Sequence, residues 1–293
     1  MNFIYRGIVS GYINHQQQKP VVFNGQSNFG YKISPWIKKD IRQVELIHSF
    51  NTFSYIRIPF LPYISKTVMI SKKRINDHIE FYKKVSIPGS YIEKITYIPN
   101  AVKIPPVHKE KNNTKLSILY VGRNGIEKRL YLILKIAKKI NETDLAIKFE
   151  IMGDVSDIAN ETTHPFIRFH GNQTDEDVIN KVYENAHALI LTSTTEGSPM
   201  VMIEAMANGC AIIATPVGDI PLHVQNGKNG FLFSSVDDES MIINQGIDFI
   251  TRLKNNRPEL EGISQTNFIY ARNNFGIEQF NEAYRQIINQ NKN

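Results

Sequence analysis

The stretch 187–233, HALILTSTTEGSPMVMIEAMANGCAIIATPVGDIPLHVQNGKNGFLF, decides the fold class of this chain. Its apolar and polar residues predict a buried strand (188–193), a tight loop, a helix over MVMIEAMAN, a second buried strand (211–215) and a turn. The alternation begins upstream, with strands predicted at 116–122, 147–153 and 166–171 and helices at 129–140 and 174–185. Apolar strands that alternate with helices form a parallel sheet covered on both faces, so residues 116–275 predict a Rossmann-like α/β domain.

Two glutamates of this stretch stand where the fold alone does not require an acid. Glu196 directly follows the first strand, and Glu204 interrupts the apolar run of the helix. A carboxylate on an apolar helix is costly unless a partner compensates its charge. No Lys or Arg lies between Lys181 and Lys228, so the partner is not local in sequence. A ligand rich in hydroxyl donors is one candidate, and a distant basic side chain is the structural alternative.

The remainder of the chain has a weaker pattern. Strands are predicted at 20–25, 44–50, 66–71 and 94–102, and a short helix at 34–42, where Ser34 and Pro35 resemble a helix start. The segment PPVHKEKNNTK has two prolines, a charge run and no apolar periodicity, which is typical of a linker. The expected organisation is an amino-terminal domain (1–104), a linker (105–115), a second domain (116–275) and a terminal helix (276–293).

The charge is unevenly distributed along the chain. Residues 1–111 contain 17 Lys and Arg against 6 Asp and Glu, whereas residues 112–293 contain 17 against 22. The basic part predicts an anionic partner such as a membrane surface, with a solvated basic face as the alternative. Nucleic acid is not expected, because no aromatic-basic recognition motif is present. The single Cys210 and the absence of a signal-peptide pattern favour a cytoplasmic location, with peripheral attachment to the inner face of the plasma membrane as an option.

Charged residues follow two of the predicted strands of the second domain. Arg123 and Lys128 come after the strand at 116–122, and Glu196 precedes a helix expected to begin at Ser198 and Pro199. The carboxyl ends of parallel strands meet at one edge of a sheet, where ligands bind. Cations suit a diphosphate, and a carboxylate can accept two hydrogen bonds from a vicinal diol. The spacing therefore predicts a pocket for a nucleotide diphosphate sugar, whose departing phosphate two cations could stabilise without a metal.

Four segments resemble, in order, motifs of one known family: PNAV (99–102), YVGRNGIEK (120–128), EGSPMVMIE (196–204) and VGDIPLHVQNGKNGFLF (217–233). The family is the large retaining glycosyltransferase family commonly numbered four, the group 1 glycosyl transferases. The resemblance extends from about Lys66 to Tyr284. It implies an α/β protein of the GT-B fold, with two Rossmann-like domains whose parallel sheets face a cleft. The usual amino-terminal strand with its Gly-rich loop is missing, which implies that the first domain is incomplete.

The resemblance also implies roles for single residues. Arg123 and Lys128 would bind the donor diphosphate, Glu196 the transferred sugar, and Glu204 the ribose. Gly197, Ser198, Pro199 and Met200 would add backbone contacts, and His48, at the end of VELIHSF, would lie near the donor sugar. Glu196, Lys128, Arg123 and His48 are accordingly the predicted catalytic residues. The chain departs from the family at Arg129, where glycine is usual.

The predicted function is a metal-independent, retaining hexosyltransferase without a cofactor. It would move a hexose or aminohexose from a UDP- or GDP-linked donor to a glycan or lipid-linked acceptor, in bacterial lipopolysaccharide or other surface polysaccharide synthesis. Two alternatives stay open: a catalytically inactive remnant that still binds nucleotide sugar, and a nucleotide-sugar 2-epimerase.

Overall fold

The computed structural model describes residues 2–111, 114–143 and 146–289. The chain divides into two compact units, Met1–Pro99 with Asn281–Asn293, and Asn100–Phe280. Each unit contains one parallel sheet with helices, so the predicted α/β class with two parallel sheets is confirmed.

Within the described residues, the first unit has a four-stranded sheet in the order β1-β2-β3-β4. In chain order its helices and strands are α1 (Asn2–Asn14), β1 (Val21–Asn24), α2 (Asn28–Ile33), β2 (Arg42–Ile47), α3 (Phe53–Ile56), β3 (Lys66–Met69), α4 (Lys72–Lys84) and β4 (Ile95–Tyr97). A fully buried ion pair joins Arg57 to Glu45 of β2. The carboxylate also accepts hydrogen bonds from Tyr31 Oη (3.1 Å) and Thr67 Oγ1 (2.6 Å), as a buried charge requires.

The prediction of a helix at 34–42 is wrong. The structure has a short 3-10 turn at Ser34–Trp36, and β2 begins at Arg42. The reason is tertiary, because the Asn14 side chain donates to Trp36 O (2.8 Å) and accepts from Lys38 N (2.9 Å). These bonds satisfy backbone groups that a continuing helix would otherwise pair internally.

The second unit is built on a six-stranded sheet in the order β10-β9-β8-β5-β6-β7, counted over the described ranges. Its elements are β5 (Leu116–Val121), α5 (Leu130–Asn141), β6 (Ile147–Met152), β7 (Ile167–Gly171), α6 (Glu176–Asn185), β8 (Ala188–Leu191), α7 (Met200–Ala207), β9 (Ala211–Ala214), α8 (Ile220–His223), β10 (Gly230–Leu232), α9 (Glu239–Asn255) and α10 (Arg257–Asn274), followed by α11 (Ile277–Asn289). Successive residues of β5 point into different cores: Ile118 and Tyr120 into one, Leu119 into the other. The sheet is therefore covered on both faces, as expected from its continuous apolar strands.

The boundaries of the second unit, Asn100 and Phe280, differ from the predicted domain boundaries, 116 and 275. Much of the predicted linker packs on the second unit: His108 Nε2 lies 2.8 Å from Ser264 Oγ, and the Lys111 ammonium donates to Ala186 O. The end of the predicted terminal helix instead belongs to the first unit, where the Tyr284 ring lies 6.1 Å from that of Phe23. Contacts distant in sequence, rather than local composition, set both boundaries. None of the helices in the described ranges is long and apolar enough to cross a membrane.

Candidate functional site

The candidate site lies at the carboxyl edge of the second sheet, where the adjacent parallel strands β5 and β8 end. The loops that follow them are hydrogen-bonded to each other. Thr194 N donates to Glu127 O (2.8 Å), and Thr192 Oγ1 donates to Lys128 O (3.0 Å). These bonds fix the loop that carries Arg123 and Lys128 against the loop that carries Glu196.

Lys128 and Glu196 form a direct ion pair. Lys128 Nζ lies 2.8 Å from Glu196 Oε1, and Ser193 Oγ donates to the same oxygen at 2.8 Å. The side chains are 24% and 9% exposed, so the pair is partly shielded from water. A lysine ammonium has three N–H donors, of which Glu196 takes one. The pair therefore combines a held carboxylate with a cation that can still donate to an oxygen-rich ligand.

Arg123 is the more exposed cation of the site, with 69% of its side chain accessible. Its Nη2 lies 2.6 Å from Glu127 Oε1. An exposed pair of this kind contributes about 0–1 kcal/mol, so the guanidinium can change partner at little cost. The backbone carbonyl of Arg123 accepts a hydrogen bond from Tyr120 Oη at 3.0 Å, which anchors the start of the loop.

A cavity of about 400 Å³ opens at this edge of the sheet, and Arg123 and Glu204 both line it. Gly122, Gly153 and Asp154 also line it. Gly153 has φ +137°, and a Cβ there would lie 2.0 Å from Gly122 O, so only glycine permits this approach of the two loops.

The partner of Glu204 is Tyr183 of α6, whose hydroxyl donates to Glu204 Oε2 at 2.6 Å. Burial, followed by the charge of Glu204, raises the pKa of Tyr183, so the phenol stays a protonated donor. The sequence interpretation missed this residue. Its signal was a tyrosine within the apolar pattern of α6, because a buried phenol needs a hydrogen-bond partner.

A second buried tyrosine lies behind the loops. Burial, and then the charges of Glu196 and Glu127, raise the pKa of Tyr120. This residue was not predicted either, although a tyrosine inside the buried strand LSILYVG again requires a polar partner. Its hydroxyl holds the backbone at Arg123.

Helix α7 begins slightly later than predicted. Pro199 is its N-cap, with φ −69° and ψ 119°, and Met200 is the first helical residue. Ser198 therefore does not cap the helix. Its hydroxyl is buried and, within the described residues, has no hydrogen-bond partner. Gly197 O accepts from Asp219 N at 2.9 Å, which ties this loop to the one after β9.

Arg129 has the left-handed backbone conformation, with φ 50° and ψ 44°. This geometry suits the glycine that is usual at this position of the family and costs another residue about 1–2 kcal/mol. The side chain offsets the cost, because its guanidinium donates to Thr192 O (2.7 Å) and Val236 O (2.6 Å). Arg129 therefore keeps the loop conformation that glycine would adopt and ties the loop to the backbone at Thr192, directly after β8.

The predicted residues do not all reach one opening. Lys128 contacts Glu196, and Arg123 shares the cavity with Glu204, but the residues described as lining that cavity include neither Lys128 nor Glu196. His48 follows β2 in the first unit, and its backbone N–H donates to Gln26 Oε1 at 3.2 Å. The structure thus joins Lys128 to Glu196 and places Arg123 and Glu204 in the wall of one cavity.

In the described part of the chain, no group of three or more His, Cys, Asp or Glu could hold a metal ion. The chain does contain an Asp-x-Asp sequence, Asp175-Glu176-Asp177. Asp175 is the N-cap of α6 and accepts from the N–H of Asp177 at 2.9 Å, so this carboxylate supports the helix start.

Comparison with known proteins identifies relatives by sequence. Residues 115–250 match the family model described as "Glycosyl transferases group 1". Sulfoquinovosyl transferase SQD2 of Arabidopsis thaliana is 31% identical over 132 residues, which cover 43% of this chain and 25% of that protein. Poly(ribitol-phosphate) alpha-N-acetylglucosaminyltransferase of Staphylococcus aureus (strain COL) is 29% identical over 173 residues, covering 56% of this chain and 33% of that protein. The chain thus matches a quarter to a third of the length of these relatives.

Solved structures resemble nearly the whole chain. Anabaena Alr3699/HepE in complex with UDP has a TM-score of 0.75 at 14% identity, over 97% of this chain and 82% of that chain. The pneumococcal O-GlcNAc transferase GtfA in complex with UDP and GlcNAc has a TM-score of 0.74 at 15% identity, over 98% and 60%. At these identities the likeness establishes the fold, which is GT-B as predicted.

Proposed function

We propose that this chain is a group 1 glycosyltransferase, the family whose model residues 115–250 match, and that it transfers a hexose or aminohexose from a nucleotide diphosphate sugar. The acceptor is a glycan or a lipid-linked saccharide, in the synthesis of a bacterial surface polysaccharide such as lipopolysaccharide. The observation that carries the proposal is the ion pair of Lys128 with Glu196 between the loops after β5 and β8, together with the cavity that Arg123 and Glu204 line at the same edge of the sheet.

The cations are assigned to the donor diphosphate. Lys128 keeps N–H donors beyond the one it gives to Glu196, and the exposed Arg123 guanidinium can form two parallel hydrogen bonds with phosphate oxygens. When the bond between sugar and diphosphate breaks, negative charge develops on the leaving phosphate. Fixed cations stabilise that charge without reorganisation, which lowers the barrier. Uridine is the favoured base, since both similar solved structures contain UDP.

The carboxylates are assigned to hydroxyl groups of the donor. Tyr183 binds Oε2 of Glu204, which orients the carboxylate for the ribose diol. Glu196, held by Lys128 and Ser193, is assigned to the transferred sugar. The backbone of Gly197 to Met200 and the buried Ser198 hydroxyl offer further polar contacts at the start of α7. His48 is proposed to act near the donor sugar, on the strength of the family resemblance.

Calorimetry with UDP and GDP tests the donor assignment. Lys128→Ala removes a charge-assisted bond of about 1.5–3 kcal/mol, so UDP affinity should fall roughly 10- to 100-fold. Glu204→Gln should also weaken UDP binding, because an amide is a poorer acceptor for the diol. Lys138→Ala on α5 and Glu142→Gln at its end are matched controls, since both side chains are exposed and away from the cavity. Equal UDP affinity in all four variants would remove the assigned roles.

Transfer is tested separately from binding. Retention predicts that the anomeric configuration of the donor persists in the product, which NMR of the reaction mixture reads directly. Metal independence predicts the same rate with and without EDTA. The second candidate is a catalytically inactive protein that still binds nucleotide sugar. UDP binding without turnover would favour this candidate, and release of free UDP without an acceptor would favour a 2-epimerase.

We also propose that the first unit contacts an anionic membrane surface. Residues 1–111 are strongly basic, and one face of α1 exposes large apolar side chains, namely Phe3, Ile4, Tyr5, Ile8 and Tyr12. An apolar helix face next to basic residues binds the interface of anionic bilayers. Vesicle sedimentation should show binding to phosphatidylglycerol and not to phosphatidylcholine, with loss in Ile4→Ser/Ile8→Ser and none in Ile158→Ser. Equal binding by both mutants would refute this contact.

A further inference from the structure

A second cavity, of about 510 Å³, lies at the opposite, amino edge of the same sheet. It is lined by the starts of β5, β6 and β7 and by the carboxyl-terminal half of α6. It shares no described lining residue with the cavity of Arg123 and Glu204. None of the roles proposed above uses it.

The floor of this amino-edge cavity is a closed polar network around Glu150 of β6. Ser117 Oγ donates to Glu150 Oε1 at 2.7 Å, Lys148 Nζ lies 2.7 Å from the same oxygen, and His170 Nε2 lies 2.8 Å from Oε2. Burial alone would raise the pKa of Glu150, but these hydrogen bonds outweigh it and lower the pKa to about 2. The carboxylate is thus ionised and fully engaged, so it does not neutralise the rim.

The rim of the cavity is basic. Lys115, Arg168 and Lys181 line it, and none of them has an ion pair with a described residue. Glu150 is the one acid among the described lining residues, and Lys148 already compensates it. Residues 112–293 contain more Asp and Glu than Lys and Arg, so three uncompensated cations at one opening oppose the charge of the surrounding chain.

We propose that this amino-edge cavity binds a small, multiply charged anion of the phosphate class. Arg168 offers a guanidinium fork and Lys115 and Lys181 offer ammonium donors, which are the groups that bind phosphate oxygens, and all three line this one cavity. The volume admits far more than a single water, whose share of liquid volume is about 30 Å³. This proposal does not depend on the proposed glycosyl transfer, because the two cavities share no described lining residue.

Helix α6 separates the two cavities. Val178, Lys181 and Val182 line the amino-edge cavity, whereas Ile179 and Tyr183 line the other. Since Tyr183 holds Glu204, an anion bound to Lys181 contacts the same helix that orients the ribose-binding carboxylate. Because both cavities contact α6, competition with UDP would not separate the two sites, and variants of each site are needed instead.

Calorimetric titration of the full chain with inorganic phosphate and with pyrophosphate tests the proposal. Arg168→Gln and Lys181→Gln should each weaken binding about fivefold, the effect of one charge pair at close range in water. Lys138→Gln removes an equal charge from an exposed position of α5 and should leave binding unchanged. The Arg123→Gln/Lys128→Gln variant should also retain it, which separates this site from the donor site. The tighter of the two probes distinguishes a single phosphate group from a diphosphate.

Two results would overturn the proposal. The first is no saturable binding of either probe at millimolar concentration by the unmodified chain. The second is binding that Arg123→Gln/Lys128→Gln abolishes while Arg168→Gln and Lys181→Gln leave it intact. Circular dichroism verifies that each variant is folded, and unchanged UDP binding adds a second check for Arg168→Gln, Lys181→Gln and Lys138→Gln, whose side chains are exposed and do not line the cavity of Arg123 and Glu204.

Discussion

Replacing Tyr183 by phenylalanine removes one hydroxyl and leaves the ring in place. Tyr183 Oη donates to Glu204 Oε2 at 2.6 Å, and the side chain is 1% exposed, so water cannot readily replace the lost donor. Hydrogen bonds to charged groups contribute about 1.5–3 kcal/mol. Tyr183→Phe should therefore lower the free energy of unfolding by about 1.5–3 kcal/mol, measured by urea denaturation at pH 7.

The same substitution should also affect donor binding, because Glu204 loses the group that orients it. UDP affinity measured by calorimetry should fall by up to about tenfold, equivalent to about 1.4 kcal/mol. Tyr270→Phe is the matched control: its hydroxyl lies 2.9 Å from His223 Nδ1, away from the cavity. It should destabilise the protein without changing UDP affinity. Unchanged UDP affinity in Tyr183→Phe, together with weakened affinity in Glu204→Gln, would refute the claim that Tyr183 positions the carboxylate.

Three further predictions concern stability. The folded protein lowers the pKa of Glu150 from 4.5 to about 2, so the ionised carboxylate contributes roughly 3 kcal/mol to the free energy of unfolding. This contribution is present above pH 4.5 and is lost as the pH falls towards 2. Glu150→Gln should flatten that part of the pH profile of urea unfolding. Arg129→Gly should relieve about 1–2 kcal/mol of backbone strain but lose two hydrogen bonds from a guanidinium, so a lower midpoint of thermal unfolding is expected and a higher one would contradict the assigned role. Arg57→Met leaves the buried Glu45 unpaired and should cost about 3–5 kcal/mol in urea unfolding, whereas a loss below about 1 kcal/mol would mean that Glu45 becomes protonated or hydrated.

The strands and helices of the second unit could be predicted because local pattern determines them. The predicted strand at 116–122 became Leu116–Val121, and the predicted helix at 129–140 became Leu130–Asn141. Both segments are long enough for their apolar periodicity to be unambiguous. In the first unit the local sequence pattern wrongly predicted a helix at 34–42, because a hydrogen bond from the Asn14 side chain, which is distant in sequence, ends the turn after Trp36.

The sequence by itself determined the α/β class and placed Arg123, Lys128, Glu196 and Glu204 on helix and loop segments at one edge of a sheet, since strand polarity alone dictates that edge. Only the tertiary structure decided their partners. Lys128 and Glu196 are 68 residues apart and Tyr183 and Glu204 are 21 apart, and no local periodicity relates such positions. Side chains this distant meet only after the strands have paired and the helices have packed, so packing supplied Tyr183 as the protein partner of Glu204, where the sequence had suggested a distant basic side chain.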